Sequence, residues 1–180
     1  MSALPQSFSG SVHPVLTQER WYALHVRSRH DKLVSASLRV RGMESFLPLY
    51  RSRRRWSDRT RVMDLPLFPG YVFCRFHPEL LLPVVTTPGV VQIVGAGKHP
   101  RPIADEEIVA IQRMLLSGGD VEPWPYLKAG QKVRILDGPL FGVEGILVEV
   151  KNRRRLVVSV HLLQRSVAVE VDRDCIGPPR

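Results

Sequence analysis

Six arginines and one tryptophan fall within the eleven residues from Arg51 to Arg61, Arg-Ser-Arg-Arg-Arg-Trp-Ser-Asp-Arg-Thr-Arg. A guanidinium group grips phosphate through paired hydrogen bonds and an indole offers a flat face to a base. Arg53, Arg54, Arg55 and Trp56 are therefore candidate nucleic-acid or charged-protein contacts; a solvated hairpin with Trp56 folded back on it fits the same residues. Lys151 with Arg153, Arg154 and Arg155 forms a second basic cluster, which suits either RNA contact or a solvated loop. Across the chain Lys and Arg number 26 against 17 acids, a net charge of +9, and all but five of the 26 are arginine. That bias favours a polyanionic or acidic partner.

Enzymatic chemistry finds no foothold. There is no Gly-Lys-Ser/Thr phosphate loop, and Gly95-Ala-Gly97 lacks the strand-to-helix setting of a dinucleotide site. Histidines 13, 25, 30, 77, 99 and 161 are dispersed, Cys74 and Cys175 lie a hundred residues apart, and neither set has metal-ligand or disulfide spacing. The expectation is a protein without catalytic residues, metal or cofactor. Residues 1–19 lack a secretory start and no apolar run reaches membrane-spanning length, so a cytoplasmic chain in a reducing compartment, with no membrane partner, is expected.

The elements that must carry these residues are legible from periodicity. Leu65-Pro-Leu-Phe-Pro-Gly-Tyr-Val-Phe-Cys-Arg-Phe76 reads as a rigid turn feeding a central strand, with Tyr71, Phe73 and Arg75 on one face and Val72, Cys74 and Phe76 on the other. Trp21–Val26 is a strand. A short amphipathic helix over about 30–41 follows, with Ser28 or Asp31 available as its cap and Gly42 as its stop. Glu44–Tyr50 is a strand disturbed by Pro48, and Arg51–Arg61 is the tip of a long hairpin. His77-Pro-Glu79 opens a short helix limited by Pro83, Val90–Val94 is a strand, Gly95–Pro102 a loop, and Asp105 to about Leu116 a helix. Residues 118–127 show neither period and read as a linker. Beyond it Val133–Leu136, Ile146–Val150, Leu156–Val160 and Gln164–Val171 are strand-like, with no helical stripe between them. The fold class expected is α+β: an N-terminal α/β sandwich over 20–117 and a small SH3-like β-barrel over 128–176, flanked by tails at 1–19 and 177–180.

In this order Trp21-Tyr22, Leu67-Phe-Pro-Gly-Tyr-Val-Phe73, Pro88-Gly-Val-Val91, Gly130-Gln-Lys-Val-Arg-Ile-Leu-Asp-Gly-Pro139, then Gly142, Gly145 and Val169-Glu-Val171 resemble the NusG and RfaH family of transcription elongation and antitermination factors, from Arg20 to about Ile176. The resemblance implies a NusG-like N-terminal domain that binds the clamp region of bacterial RNA polymerase and favours processive elongation, followed by a KOW domain. It implies Tyr22, Phe68, Pro69 and Tyr71 at or beside the polymerase-binding face. In the KOW domain it points to Phe141, Val143, Leu163 and Arg165, with the basic cluster at 151–155, as partner or RNA contacts.

Departures from the general factor point to a specialised, operon-selective member. The corner after the first strand is Ser28-Arg-His-Asp-Lys32 where the general factor carries a Ser-Gly-x-Glu-like connection. Arg27, Arg29, His30 and Lys32 thus form a basic corner suited to nontemplate or upstream DNA. The resemblance implies a ribosomal protein or Rho as the KOW-domain partner; Leu163-Gln-Arg-Ser-Val-Ala168 replaces a Phe-Gly-Arg-x-Thr-Pro-like segment, which puts Rho binding in doubt. The alternative reading is a ribosome-associated KOW RNA-binding protein, which explains the second unit and leaves Trp21 to Gly118 unexplained.

Overall fold

The computed structural model describes residues 18–55, 60–96, 99–127 and 129–179. The chain opens with β1 (Arg20–Val26), α1 (Asp31–Val40), β2 (Glu44–Phe46), β3 (Leu49–Arg55), β4 (Thr60–Pro66) and β5 (Tyr71–Phe76). A single 3-10 turn, Pro78–Leu80, leads into α2 (Leu81–Val85), then β6 (Val90–Ile93), β7 (Gly95–Ala96), β8 (His99–Pro100) and α3 (Asp105–Leu116). Strands β1, β2, β5 and β6 form an antiparallel sheet in the order β2-β5-β1-β6, so β5 is interior, as its two apolar faces require.

One face of this sheet, carrying Tyr22, Leu24, Val26, Val72, Cys74 and Phe76, packs against Val34 and Leu38 of α1 and Val84 of α2. The opposite face, with Trp21, Ala23 and Phe73, is covered by Ile108, Ile111 and Met114 of α3. Alternation along β1 and β5 thus makes the two layers of a sandwich. Burial pushes the Cys74 thiol up from 9.0 to about 12, reinforced by the negative charge of Glu44 and Glu19.

Beyond α3 come β9 (Glu122–Trp124), β10 (Gln131–Ile135), β11 (Glu144–Val150), β12 (Arg153–Val160), β13 (Arg165–Glu170) and β14 (Ile176–Gly177). They form the antiparallel sheet β14-β10-β11-β12-β13-β9, a KOW-type β region whose inward residues include Val133, Ile135, Leu156, Val158, Val160, Val167 and Val169. Branched residues at alternate positions fill its interior, as their strand preference anticipates. Ser159 and Ser166, opposite each other on β12 and β13, satisfy their buried hydroxyls mutually at 2.7 Å.

The structure departs from the sequence expectations in four places. The Glu44–Tyr50 strand is two, because Pro48 interrupts the ladder: β2 pairs with β5, whereas β3 leaves the sheet to pair with β4. Helix α2 runs through Pro83, which stands at its third residue, where a missing N–H breaks no intrahelical bond. The expected loop at 95–102 contains the two-residue ladder β7–β8. The expected linker is partly a strand, since β9 adds to the edge of the β-region beside β13; Pro123 is tolerated there because an edge position needs no donor.

The two units share one apolar cluster. Ala110, Ile111 and Met114 of α3 belong to the same continuous core as Val133, Leu140, Val143, Val158 and Val160 of the β-region. Polar contacts rim it: Arg113 Nη1 donates to the Phe141 carbonyl at 2.8 Å, and His161 Nδ1 lies 2.7 Å from Glu107 Oε1. Exposed pairs of this kind each contribute about 0–1 kcal/mol, so the docking rests on the apolar burial.

Candidate functional site

The turn between β4 and β5 is fixed from four directions. Leu67 N–H donates to the Pro48 carbonyl at 2.9 Å and Tyr71 N–H to the Phe68 carbonyl at 3.0 Å. Gly70, at φ +83, takes a conformation that a side chain would strain; its carbonyl accepts from Val26 N–H at 2.9 Å. Its N–H donates to the buried carboxylate of Asp31, Oδ1 at 2.8 Å. The sequence offers Ser28 or Asp31 as the helix cap, but neither holds that position: Asp31 is the first residue of α1 and reaches across to the turn, and His30 stands at the cap without a side-chain cap bond.

This anchoring presents Pro69, which is exposed, and Tyr71, which is half-buried. His25 is the cross-strand partner of Tyr71, with ring centroids 5.5 Å apart. From the β-region, the Arg165 guanidinium lies over the Tyr71 ring, 5.2 Å from its centroid. Attraction of a cation to an aromatic face joins the units here.

The structure divides the four expected polymerase-facing residues. Pro69 and Tyr71 stand together on the surface beside His25. Tyr22 is only 5% exposed, on the α1 face with Phe76 4.6 Å away, and Phe68 is 1% exposed, edge-on to Phe73 at 5.4 Å. Tyr22 and Phe68 are therefore corrected to core residues: the alternation that sends Ala23 to one face sends Tyr22 under the helix, and the turn folds Phe68 inward.

The basic corner is surface: Arg27, Arg29 and Lys32 are exposed, and His30 is half-buried with Nδ1 2.9 Å from the Ser28 carbonyl. Arg29 has φ +63, a left-handed step that turns the chain into α1. Arg53, Arg54 and Arg55 lie in β3, opposite Val62, Arg61 and Thr60 of β4; Trp56 lies outside the described residues.

In the β-region Phe141 is 60% exposed, Leu163 half-buried, and Val143 buried in the cluster shared with α3. Val143 is corrected from an exposed partner contact to an interdomain one, because the loop between β10 and β11 packs onto α3. Of the basic cluster, Lys151 is exposed and Arg154 half-buried. Arg153 pairs with Glu170 at 3.0 Å; Arg155 pairs with Glu122 and lies 5.0 Å over Trp124, so these two cations are engaged within the chain. Arg165, expected to face a partner of the β-region, faces Tyr71.

Sequence reasoning missed His25, and also Trp124 and Tyr126, which line a groove beside Pro69. The ladder creates the first site from residues forty-six apart, which no local pattern signals. Pro123-Trp-Pro-Tyr126 did carry a signal, aromatics alternating with prolines in a segment otherwise without period.

Comparison with known proteins matches residues 19–112 to the family described as "Transcription termination factor nusG". The NusG transcription termination/antitermination protein of Pseudomonas aeruginosa is 30% identical over 168 residues, covering 86% of this chain and 95% of that protein. Its namesake in Staphylococcus aureus is 32% identical over 176 residues, covering 88% and 94%. A solved structure titled "Domain interaction in Thermotoga maritima NusG" shares the fold with a TM-score of 0.55 at 22% identity, covering 91% of this chain and 98% of the other. With the family match over more than half its length and relatives 30% and 32% identical that match it nearly end to end, this chain belongs to the NusG family of transcription factors.

Proposed function

We propose that this chain is an elongation and antitermination factor that binds the clamp region of bacterial RNA polymerase through Pro69, Tyr71 and His25, and acts on selected operons in the cytoplasm. The observation that carries the reading is the turn: a buried carboxylate and three backbone hydrogen bonds hold an exposed proline and a half-buried tyrosine at fixed positions. Covering about 200 Å² of such a patch contributes roughly 5 kcal/mol before ordering costs, enough for a transient grip on a moving enzyme. The exposed corner Arg27, Arg29, His30 and Lys32, together with the arginine hairpin, is the side we assign to nontemplate or upstream DNA. Phe141 and Leu163 are the apolar residues left for a ribosomal protein on the β-region, while the segment after Leu163 argues against Rho. The ribosome-associated alternative accounts for the β-region alone, whereas the family match falls on the part that it leaves unexplained.

The test is binding of the full chain to purified RNA polymerase core enzyme. Tyr71→Ala is expected to weaken binding about tenfold, a loss of ~1.4 kcal/mol, in a protein that remains folded by circular dichroism. Unchanged affinity for polymerase would remove Tyr71 from the interface, and specific rRNA binding without polymerase binding would favour the ribosomal reading. Transcription of a long template with and without the protein then separates operon-selective from general action.

A further inference from the structure

A groove of about 660 Å³ runs along α3 where that helix lies against the β-region. Its helical wall is Glu106, Val109, Ala110 and Arg113, the i, i+3, i+4, i+7 stripe of α3. Arg113 stands seven residues after Glu106, about 10 Å along the helix axis. Buried Val133, Val143 and Val158 of the β-region form an apolar floor. Contacts across the groove mark its two ends: His161 Nδ1 lies 2.7 Å from Glu107 Oε1 at the first, and the Phe141 carbonyl accepts from Arg113 Nη1 at 2.8 Å at the second. One end of the helical wall is thus acidic and the other basic.

At the basic end a guanidinium group from each unit converges on Gly142. A Cβ built there would lie 3.5 Å from Arg113 Nη1 and 3.5 Å from Arg134 Nη2, so the two groups stand within about 7 Å of each other beside a residue that has no side chain. Like charges brought together by docking repel, and an oxyanion between them turns that cost into attraction. Arginine carries five N–H donors. Arg113 gives one to the Phe141 carbonyl, and Arg134 Nη1 meets Glu144 Oε1 through a long ion pair of 3.9 Å, so both groups can still serve an added oxygen. Lys132, two residues before Arg134 on the same face of β10, also lines the groove.

We propose that this groove binds a free nucleotide, with its phosphates held between Arg113 and Arg134 and its base at the Glu106 end, guanine being preferred. Paired guanidinium groups fit the oxygens of phosphate, and Lys132 adds charge that a single carboxylate ligand does not need. At the other end a carboxylate accepts from N–H donors. Guanine turns two adjacent N–H donors toward such a group, whereas adenine sets its amino group beside an acceptor nitrogen that repels it. The volume falls within the ~300–1,000 Å³ of small-molecule sites, which often form between domains. That compactness decides against an extended peptide with one basic and one acidic side chain, which matches the two charges alone. Because Arg113 belongs to the N-terminal unit and Arg134 to the β-region, the bound phosphate favours the docked arrangement. The site shares no residue with the Pro69–Tyr71 surface assigned to polymerase.

Calorimetric titration of the full chain with GDP, ADP, pyrophosphate and the tetrapeptide Lys-Leu-Leu-Asp tests the site without polymerase, so its failure leaves the polymerase reading untouched. GDP should bind at least about tenfold more tightly than ADP or pyrophosphate. Arg113→Gln and Arg134→Gln should each weaken GDP binding at least about tenfold. Glu144→Gln, which removes the carboxylate that Arg134 faces, should tighten it about threefold. A variant that merely loosens docking or folding cannot bind more tightly, so this readout separates the site from structural damage. Glu106→Gln with Glu107→Gln should bring GDP and ADP within about threefold of each other while pyrophosphate binds as in the parent. Absence of GDP binding, equal affinity of the parent for GDP and ADP, or pyrophosphate as tight as GDP would each overturn the assignment. So would parent-like GDP affinity in both arginine variants, weaker GDP binding by Glu144→Gln, or the tetrapeptide binding more tightly than GDP.

Discussion

Asp31 shows how a single carboxylate sets the candidate surface. Its Oδ1 accepts from Gly70 N–H at 2.8 Å, tying the first turn of α1 to the loop that presents Pro69 and Tyr71. Alanine at this position leaves the Gly70 N–H without its partner in a part-buried setting, at a cost of about 1–3 kcal/mol. Asp31→Ala should therefore lower the urea midpoint, and it should weaken polymerase binding beyond what that lost stability explains, because the turn is freed. Asp31→Asn retains a carbonyl oxygen in the same place and should recover most of both. Equal loss from the two substitutions would mean that the negative charge, and not the hydrogen bond, does the positioning. At this scale the sequence identified Pro69, Gly70 and Tyr71 correctly as a turn and its exit. It could not separate half-buried Tyr71 from buried Tyr22, since both read as aromatic residues in strands.

At the scale of elements, the β-region depends on close approach between β11 and β12. Gly145 begins this approach: a Cβ built there would lie 2.5 Å from the Val157 carbonyl oxygen, a backbone atom that cannot move aside without displacing the ladder. Gly145→Ala should therefore destabilise the protein by about 1–3 kcal/mol, the range for overpacking, measured by thermal or urea unfolding. Unchanged unfolding would show that the strands have slack at this crossing. The strands themselves were readable because Val133 and Ile135 alternate with less buried neighbours and because valines crowd β12, and α3 because its acids and apolar stripe coincide. Strand β9 was not readable. Glu122 and Pro123 disfavour a strand and only Trp124 favours one, and the three are held by the exposed edge of β13 and by Arg155, which pairs with Glu122 and lies over Trp124.

In the whole molecule, docking of the β-region on α3 places Arg165 over Tyr71, so the proposed polymerase surface and the docked arrangement compete for the same ring. Weakening the rim of that contact should shift the balance toward release. Glu107→Ala with Arg113→Ala removes the partner of His161 and the donor to the Phe141 carbonyl while sparing the buried apolar cluster. The expected outcome is a larger radius of gyration by small-angle scattering and tighter polymerase binding by about three- to tenfold, the effect of a docked population that no longer taxes binding. A more open molecule with unchanged affinity would show that docking does not obstruct the site.

The sequence by itself determined the α+β class, the order and approximate bounds of the main elements, the turn at 66–70 and the family. Each of these is written in local periodicity or in short motifs that contiguous residues carry. Only the tertiary structure decided which aromatic residues reach the surface, that β3 and β4 leave the main sheet, that the connector becomes a strand, and that Arg165 covers Tyr71. Those outcomes depend on contacts between residues far apart in the chain, where burial against a particular neighbour outweighs the preference of any single residue.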